Sequence, residues 1–565
     1  MLSMCSVSAA QAETYYEKDD YYTEGTDAAR STARWYGQGA STLGLQGEVK
    51  PEDFKALLHG SGPNGECLHA RAIDPTRHRA ATDYTFSAPK SVSIAGLVQG
   101  DARAIAAHNQ AVDTALGVLQ ERFAQARVST PEGRQRVVTG NIVTAVFQHD
   151  SSRELDPQLH SHCVVMNTTQ LPNGTWRSLS NEEIVANQIL LGQIYQNELA
   201  YQLRQSGYDI DPQGKGQFEL SNYSQPLLGT FSTRTRQIET YLQQWQQSLD
   251  ETQGTPLHAS QKKQATLRTR KRKQAVPREV LMAAWQQQIG DQNLTLPEVP
   301  HQERDLSTAA HHQADQMARA GTAHASERES VFRRGKVERF ALEHALGEMP
   351  FATLSQAISA QGELLSVEAV KDKYTTAAAL HRERDTIQLM HQGQHQWAPI
   401  LSEAELQEQL PQWPTLSAGQ QRALTLALTS RDQMLAWQGL PGSGKTFVLQ
   451  AFKQSAAAQG FVVRGFAPSA EAANVLGKEA GLPTDTVAHL LHAPPSDPAP
   501  PPGPAPEQRE IWVIDEAGLL SAKDAHGLLS LAVERQARVI LVGDTRQLSA
   551  VEAGNPFKSL QAGGI

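Results

Sequence analysis

Cysteine is almost missing from this chain: three residues in 565, Cys5, Cys67 and Cys163. None stands in a C-x-x-C spacing and the count is odd, which argues against a disulfide framework and for a reducing compartment. Also missing is any apolar run near the ~18 residues that a membrane span requires. The opening MLSMCSVSAAQA ends in small side chains but has neither a basic start nor an apolar middle, so a secretory signal peptide is not expected. A cytoplasmic protein is the expectation. Positive charge is not in surplus either. The formal net charge of −9 argues against a uniformly basic coat for nucleic acid, although a basic groove can sit within an acidic average.

What is present is an ordinary soluble composition, 39% hydrophobic and 20% charged, in a chain long enough for about three or four domains. Up to about residue 230, strand-like alternation mixes with amphipathic helices. ATDYTFSAPKSVSIAGLV, GNIVTAVFQHD and LHSHCVVMN read as strands. From about 230 to 345 the chain turns polar and helical, with seven cations between Lys262 and Lys273. Short helical patterns fill 346 to 410, and from Leu416 apolar strands alternate with helices in βαβ fashion. The insert APPSDPAPPPGPAPEQ (493–508) predicts a stiff polyproline-like loop.

The strongest single motif is GLPGSGKT, Gly439 to Thr446, between the strand-like MLAWQ and the helix-like FVLQAFKQSAAA. That context suits a phosphate-binding loop. Gly439, Gly442 and Gly444 let backbone N–H groups wrap phosphates, Lys445 supplies charge, and the Thr446 hydroxyl can hold Mg²⁺. In WVIDEA, Asp515 is a candidate Mg²⁺ ligand and Glu516 can polarise an attacking water. Gln547 in VGDTRQL is placed to sense a γ-phosphate, and Gln420 in LSAGQQRAL to read adenine. Over about 416 to 565 the chain resembles superfamily 1 helicases of the RecD type. Such motors need a second RecA-like lobe, which does not follow by Ile565, so ATP binding is expected here but not unwinding by this chain alone.

The stretch FQHDSSRELDPQLHSHCVVMN carries His149, His160 and His162. His160 and His162, two apart on a strand, share a face, and a hairpin across SSRELDP brings His149 beside them. Three neutral imidazoles on one face make a divalent-metal site with open positions for substrate oxygens. Cys163 points the other way and reads as core. A second oddity is TYYEKDDYY, residues 14 to 22, which holds four of only 12 tyrosines in the chain. Four adjacent phenols are not easily all buried.

These motifs, with TDYTFSAPKSVS at 82–93, resemble conjugative relaxases of the TrwC/TraI type (MobF family), in which a DNA-nicking domain precedes a helicase. The resemblance implies an α/β protein with an antiparallel sheet and flanking helices (HUH-type relaxase fold) over 1–300, with helical fingers at about 230–295. A helical linker or helicase-associated region would fill 301–410, and a first RecA-like parallel lobe 411–565. The implied reaction is site- and strand-specific nicking of a plasmid transfer origin through a 5′-phosphotyrosyl intermediate.

Tyr15 maps to the initiating nucleophile and Tyr21 to the second, with Tyr16 and Tyr22 supporting. Seven residues apart, Tyr15 and Tyr22 would share a helix face, so the choice between Tyr21 and Tyr22 stays open. Asp83 can either take the phenol proton or orient a metal-binding histidine. Arg77, Arg79, Lys90 and Arg153 are expected phosphate contacts. The implied cofactors are Mg²⁺ or Mn²⁺, with Zn²⁺ possible, at the histidines, and ATP with Mg²⁺ at the loop. The implied partners are single-stranded or supercoiled transfer-origin DNA, a coupling protein, a type IV secretion system and an accessory DNA-binding protein, in the bacterial cytoplasm. Two other readings compete: a rolling-circle replication initiator, and a non-catalytic origin-binding fragment.

Overall fold

The computed structural model describes residues 2–9, 33–69, 79–131, 133–248, 276–367, 372–439, 444–492, 509–546 and 553–565. The tyrosine cluster, Arg77, Gly442, Gln547, the basic run at 262–273 and the proline-rich insert lie outside the described residues. Two compact units emerge: one of Met1–Gly321 and Val337–Ala360, the other of Thr322–Lys336 and Gln361–Ile565. Among the described residues no helix is long and apolar enough to cross a membrane.

The first unit is built on five strands: β1 (Leu2–Ser8), β2 (Ala33–Tyr36), β3 (Arg79–Ser87), β4 (Thr144–Ser151) and β5 (Pro157–Met166). All pairings are antiparallel, in the order β1-β3-β5-β4-β2. Alternation assigns the two faces. Ala81, Ala145, Phe147, Val164 and Met166 join Trp35 beneath Phe54, Leu57 and Leu58 of helix α1 (Pro51–Leu58). The opposite face is covered by α2 (Ala102–Val118) and α3 (Gln188–Gln205), which pack on each other. In α2 the buried residues Ala104, Ala107, His108, Ala111, Val112 and Ala115 recur at helical spacing, and the four alanines leave room for α3 to pack against this face. Toward the amino end of β5 the apolar cover of the first face stops, and the three histidines occupy that end.

One expected strand is a helix. In ATDYTFSAPKSVSIAGLV the strand stops at Ser87. Lys90–Ser93 then forms a helical turn that widens into a π turn over Ile94–Val98. Pro89 starts the helix, and the Glu219 carboxylate accepts hydrogen bonds from the Ser91 N–H (2.8 Å) and hydroxyl (2.5 Å). Every residue from Ser91 to Val98 is buried, so the segment has no polar face and no period from which to tell helix from strand. Among the described residues after 230, the expected helices are α4 (Thr233–Ser248), α5 (Arg278–Asp291) and a further helix over Ser307–Arg328, with 292–306 non-helical.

In the second unit the parallel sheet runs β6 (Met434–Gln438), β7 (Val462–Ala467), β8 (Thr484–Thr486), β9 (Glu510–Ile514) and β10 (Arg538–Gly543), in the order β6-β10-β9-β7-β8. Helices α6 (Ala418–Thr429) and α7 (Lys445–Ala458) cover one face and α9 (Ala522–Glu534) the other, while α8 (Ala470–Ala480) links β7 to β8. Burial on both sides explains the apolar run VILV that follows Arg538: Ile540 and Val542 face α7, Val539 and Leu541 face α9. A small antiparallel sheet of Phe332–Arg333, Lys373–Thr376 and Leu364–Ser366 had no sequence signal.

Candidate active site

The β4–β5 hairpin sets His149 directly opposite His160, with His162 two residues further on the same face. The three ring centroids are 5.1–5.2 Å apart, and one nitrogen from each ring lies within 4.8 Å of the others. His160 is buried and the other two are half-buried. Two of the rings are oriented from behind. Nδ1 of His160 lies 2.8 Å from the Gln158 carbonyl, and Nδ1 of His162 lies 2.6 Å from Oδ2 of Asp83. A proton on each Nδ1 donates in these bonds, which leaves the Nε2 lone pair facing the cluster. The donor set fits a divalent cation with positions open for other ligands.

Asp83 comes from β3, the neighbour of β5, and its other oxygen accepts from the Thr85 hydroxyl at 3.3 Å. Thr85 Oγ1 also lies 3.1 Å from Nδ1 of His162, so threonine, aspartate and histidine form one network. Thr85 was not anticipated. A threonine in a strand carries no signal of its own, although its i, i+2 spacing from Asp83 places both on one face. On the far side of Asp83, Cys5 of β1 is its direct cross-strand partner.

The hairpin is gripped by α4 and α5. Asp156, buried, accepts from the Thr233 N–H and hydroxyl (both 3.0 Å) and so caps the start of α4. The indole N–H of Trp285 in α5 donates to the Leu155 carbonyl at 2.7 Å, and Arg278 lies 3.4 Å from Asp150.

The cations expected on phosphates divide. Lys90 instead donates from Nζ to the Pro157 carbonyl at 2.8 Å, and burial pushes its pKa down to about 8 against the opposing pull of Asp156 and Glu219. Arg79 donates to Asn167 Oδ1 at 2.6 Å and to the Leu179 carbonyl at 2.7 Å, with burial lowering its pKa. Both therefore have internal hydrogen-bond partners that hold them against neighbouring segments of the fold. Arg153 is half-buried within the hairpin turn.

Behind the histidine strand, His108 is completely buried. Its Nε2 lies 2.8 Å from the Ser161 hydroxyl and its Nδ1 2.8 Å from that of Tyr195. Ser161 separates His160 from His162, so this network anchors α2 and α3 to the strand that carries both. Burial, the largest cause, pushes the His108 pKa down to about 3. The imidazole is thus neutral, with one nitrogen donating and the other accepting.

In the second unit the carboxyl ends of β6, β9 and β10 bring Gly439, Asp515 and Asp544 to one edge of the sheet, the usual side for nucleotide in such folds. Gly444, in the left-handed region at φ +74°, caps the start of α7. A Cβ there would come within 2.5 Å of Gln420 Nε2. Lys445 Nζ reaches back to the Gly439 carbonyl at 3.4 Å. Burial raises the pKa of Asp515, while Lys445 pulls it down and Glu479 pushes it further up. Glu516 sits in the left-handed region at φ 51°, a strained backbone of the kind that gathers at functional sites. Gln420 has a local use as well: with Ser417 it closes a capping box at the start of α6. Asp544, buried, holds Gln438 Nε2 at 2.8 Å and the Arg546 N–H at 3.0 Å. Its GD pair after an apolar strand was the signal by which it could have been found.

The sequence pattern of the TrwC relaxase family matches residues 9–292, and that of an AAA domain matches 415–565. Over 301 residues the chain is 41% identical to the multifunctional conjugation protein TraI of Escherichia coli, covering 51% of this chain and 16% of that protein. Over 148 residues it is 32% identical to the ATP-dependent RecD2 DNA helicase of Deinococcus radiodurans, covering 25% of this chain and 19% of that one. The chain thus spans less than a fifth of the length of either relative. A solved structure of the conjugative relaxase TrwC with oriT DNA, metal-bound, is 35% identical, with a TM-score of 0.47, covering 52% of this chain and 99% of that one. Since the relaxase pattern runs through half of the sequence and contains the whole histidine hairpin, the chain belongs to the TrwC relaxase family.

Proposed function

We propose that this protein nicks one strand of a plasmid transfer origin by tyrosine transesterification and binds ATP in its second unit. The observation that carries the first part is the convergence of His149, His160 and His162, with Asp83 bound to the back of His162. A divalent cation held there, Mg²⁺ or Mn²⁺ with Zn²⁺ as a further candidate, neutralises charge on the non-bridging oxygens of a phosphodiester. The phenol oxygen of Tyr15 attacks phosphorus, the bond to the 3′ oxygen breaks, and a 5′-phosphotyrosyl link and a free 3′-hydroxyl result. Because one phosphodiester replaces another, the strand can be resealed without ATP. A tyrosine pKa near 10 means that the attacking phenol must lose its proton in the step.

Tyr21 then serves the closing transfer, with Tyr16 and Tyr22 as supporting aromatics. Asp83 acts as the orienter of His162, since the 2.6 Å contact commits its Oδ2 to that ring. We assign residues 1–300 to nicking, with fingers at about 230–295, residues 301–410 to a connecting region, and 411–565 to a nucleotide lobe. In that lobe Gly439, Gly442, Gly444 and Lys445 cradle phosphates, and Thr446 and Asp515 hold Mg²⁺. Glu516 acts on the attacking water, and Gln420 and Gln547 contact the nucleotide. Transfer-origin DNA, a coupling protein, an accessory DNA-binding protein and a type IV secretion system are the proposed partners, and the cytoplasm the proposed location.

The test mixes the chain with Mn²⁺ or Mg²⁺ and oligonucleotides carrying known transfer origins, then looks for a denaturant-resistant protein–DNA adduct. Wild type should form it and Tyr15→Phe should not. Equal adduct from both would remove Tyr15 from its role, and no adduct on any verified origin would leave an origin-binding protein without nicking activity. For the second unit, Lys445→Ala should weaken ATP binding at least tenfold, the order of a lost charge-assisted contact to phosphate. Unchanged affinity would refute the phosphate cradle.

A further inference from the structure

Thr446 opens α7, and its hydroxyl donates to Oε2 of Glu479 at 3.1 Å. Glu479 stands one residue from the end of α8, and the contact is not isolated. Gln450, one turn further along α7, donates from Nε2 to the Glu479 carbonyl at 2.5 Å, and Lys453 donates to the carbonyl of Gly481, the left-handed cap of α8. Three positions on one face of α7 thus fix the end of α8 against α7, from its amino end onward. Glu479 itself is exposed, and its charge reaches the Asp515 carboxyl.

A hydroxyl has one hydrogen and two lone pairs. With the Thr446 hydrogen committed to a carboxylate, the lone pairs remain for a cation, and the carboxylate adds negative charge beside it. The same charge repels a nucleotide triphosphate that arrives without its metal.

Resting on the nucleotide reading given above, we infer that Glu479 is a positioning residue of the magnesium–nucleotide site. It orients the Thr446 hydroxyl and makes nucleotide affinity depend on the divalent cation. Residues that hold a metal ligand from behind typically change metal affinity by about 10–100-fold when replaced. The charge effect has opposite signs in the two media, so the ratio of affinities is the quantity that reports it.

The experiment titrates the full chain with a fluorescent ATP analogue, once in Mg²⁺ and once in chelator. Glu479→Gln keeps an acceptor for Thr446 and removes the charge. The expected result is a fall of about tenfold in the ratio of affinity with Mg²⁺ to affinity without it, with metal-free binding becoming tighter. Glu479→Asp, which keeps the charge, should restore most of the ratio. An unchanged ratio, or equal weakening in both media, would mean that Glu479 only packs α8 against α7, and the inference would be overturned. A wild-type chain that binds the analogue in neither medium overturns the nucleotide reading and this inference with it. Wild-type binding with a ratio that Glu479→Gln does not alter overturns the inference alone.

Discussion

His162→Ala should lower Mn²⁺ affinity by more than about a hundredfold, beyond the ordinary range for replacing a group behind a ligand, and should abolish the protein–DNA adduct. With its ring removed, two imidazoles remain on the face, and Asp83 loses the partner that it holds at 2.6 Å. Asp83→Asn is the informative companion. An orienter of His162 should show about a 10–100-fold loss of Mn²⁺ affinity in that variant, because the amide oxygen still accepts from Nδ1–H but carries no charge. A general base for Tyr15 would instead leave Mn²⁺ affinity intact and suppress only adduct formation. Calorimetric titration of Mn²⁺ into each variant, without DNA, separates the two, and wild-type affinity in His162→Ala would dismantle the metal site altogether.

Acid should destabilise the first unit through His108. Its folded pKa of about 3 lies below the ordinary 6.5, so the unfolded chain binds a proton in this interval that the folded chain refuses. Stability is complete above 6.5 and falls by about 1.4 kcal/mol for each pH unit below it, until the folded value is reached. By pH 4 the loss from this group is about 3 kcal/mol. His108→Gln offers a donor and an acceptor but does not titrate. It should lower stability at pH 7 by about 1–2 kcal/mol, through imperfect bonds to Ser161 and Tyr195, yet flatten the acid slope by one proton. Calorimetric scans of the first unit's transition between pH 7 and pH 4.5 measure both effects. Parallel slopes for wild type and variant would show that His108 is not the group being protonated.

Why some of this was legible in the sequence, and some not, follows from where each interaction partner lies. The histidine site was readable because strand alternation and one short hairpin are local rules, and they place His149, His160 and His162 together without further knowledge of the fold. The parallel lobe was readable because its inner strands are mostly apolar and are separated by helices. The internal partners of Lys90 and Arg79 were not legible for a common reason: each donates to a backbone carbonyl, of Pro157 and Leu179, and carbonyls leave no trace in a sequence. The segment Ser91–Val98 was misread because total burial erases periodicity. The sheet around Lys373–Thr376 was missed because its strands are two to four residues long, too short for alternation to register. Gln420 shows the reverse problem, since the pattern Ser-x-x-Gln that caps α6 was visible in the sequence beside the adenine-reading role assigned to it.

The strand pairing of Cys5 with Asp83 has a practical consequence. Cys5 and Cys67 are exposed, whereas Cys163 is buried, with a thiol pKa raised by that burial. In a Cys67→Ser background a maleimide dye therefore has one reactive address, on the strand next to the carboxylate that holds His162. Facing residues in such a pair have Cα atoms only about 4.5–5.5 Å apart. Mn²⁺ is paramagnetic and quenches nearby fluorophores, so filling of the histidine cluster would be read as darkening of that single label. Loading and release of the ion could then be timed on the full chain, with no DNA and no turnover.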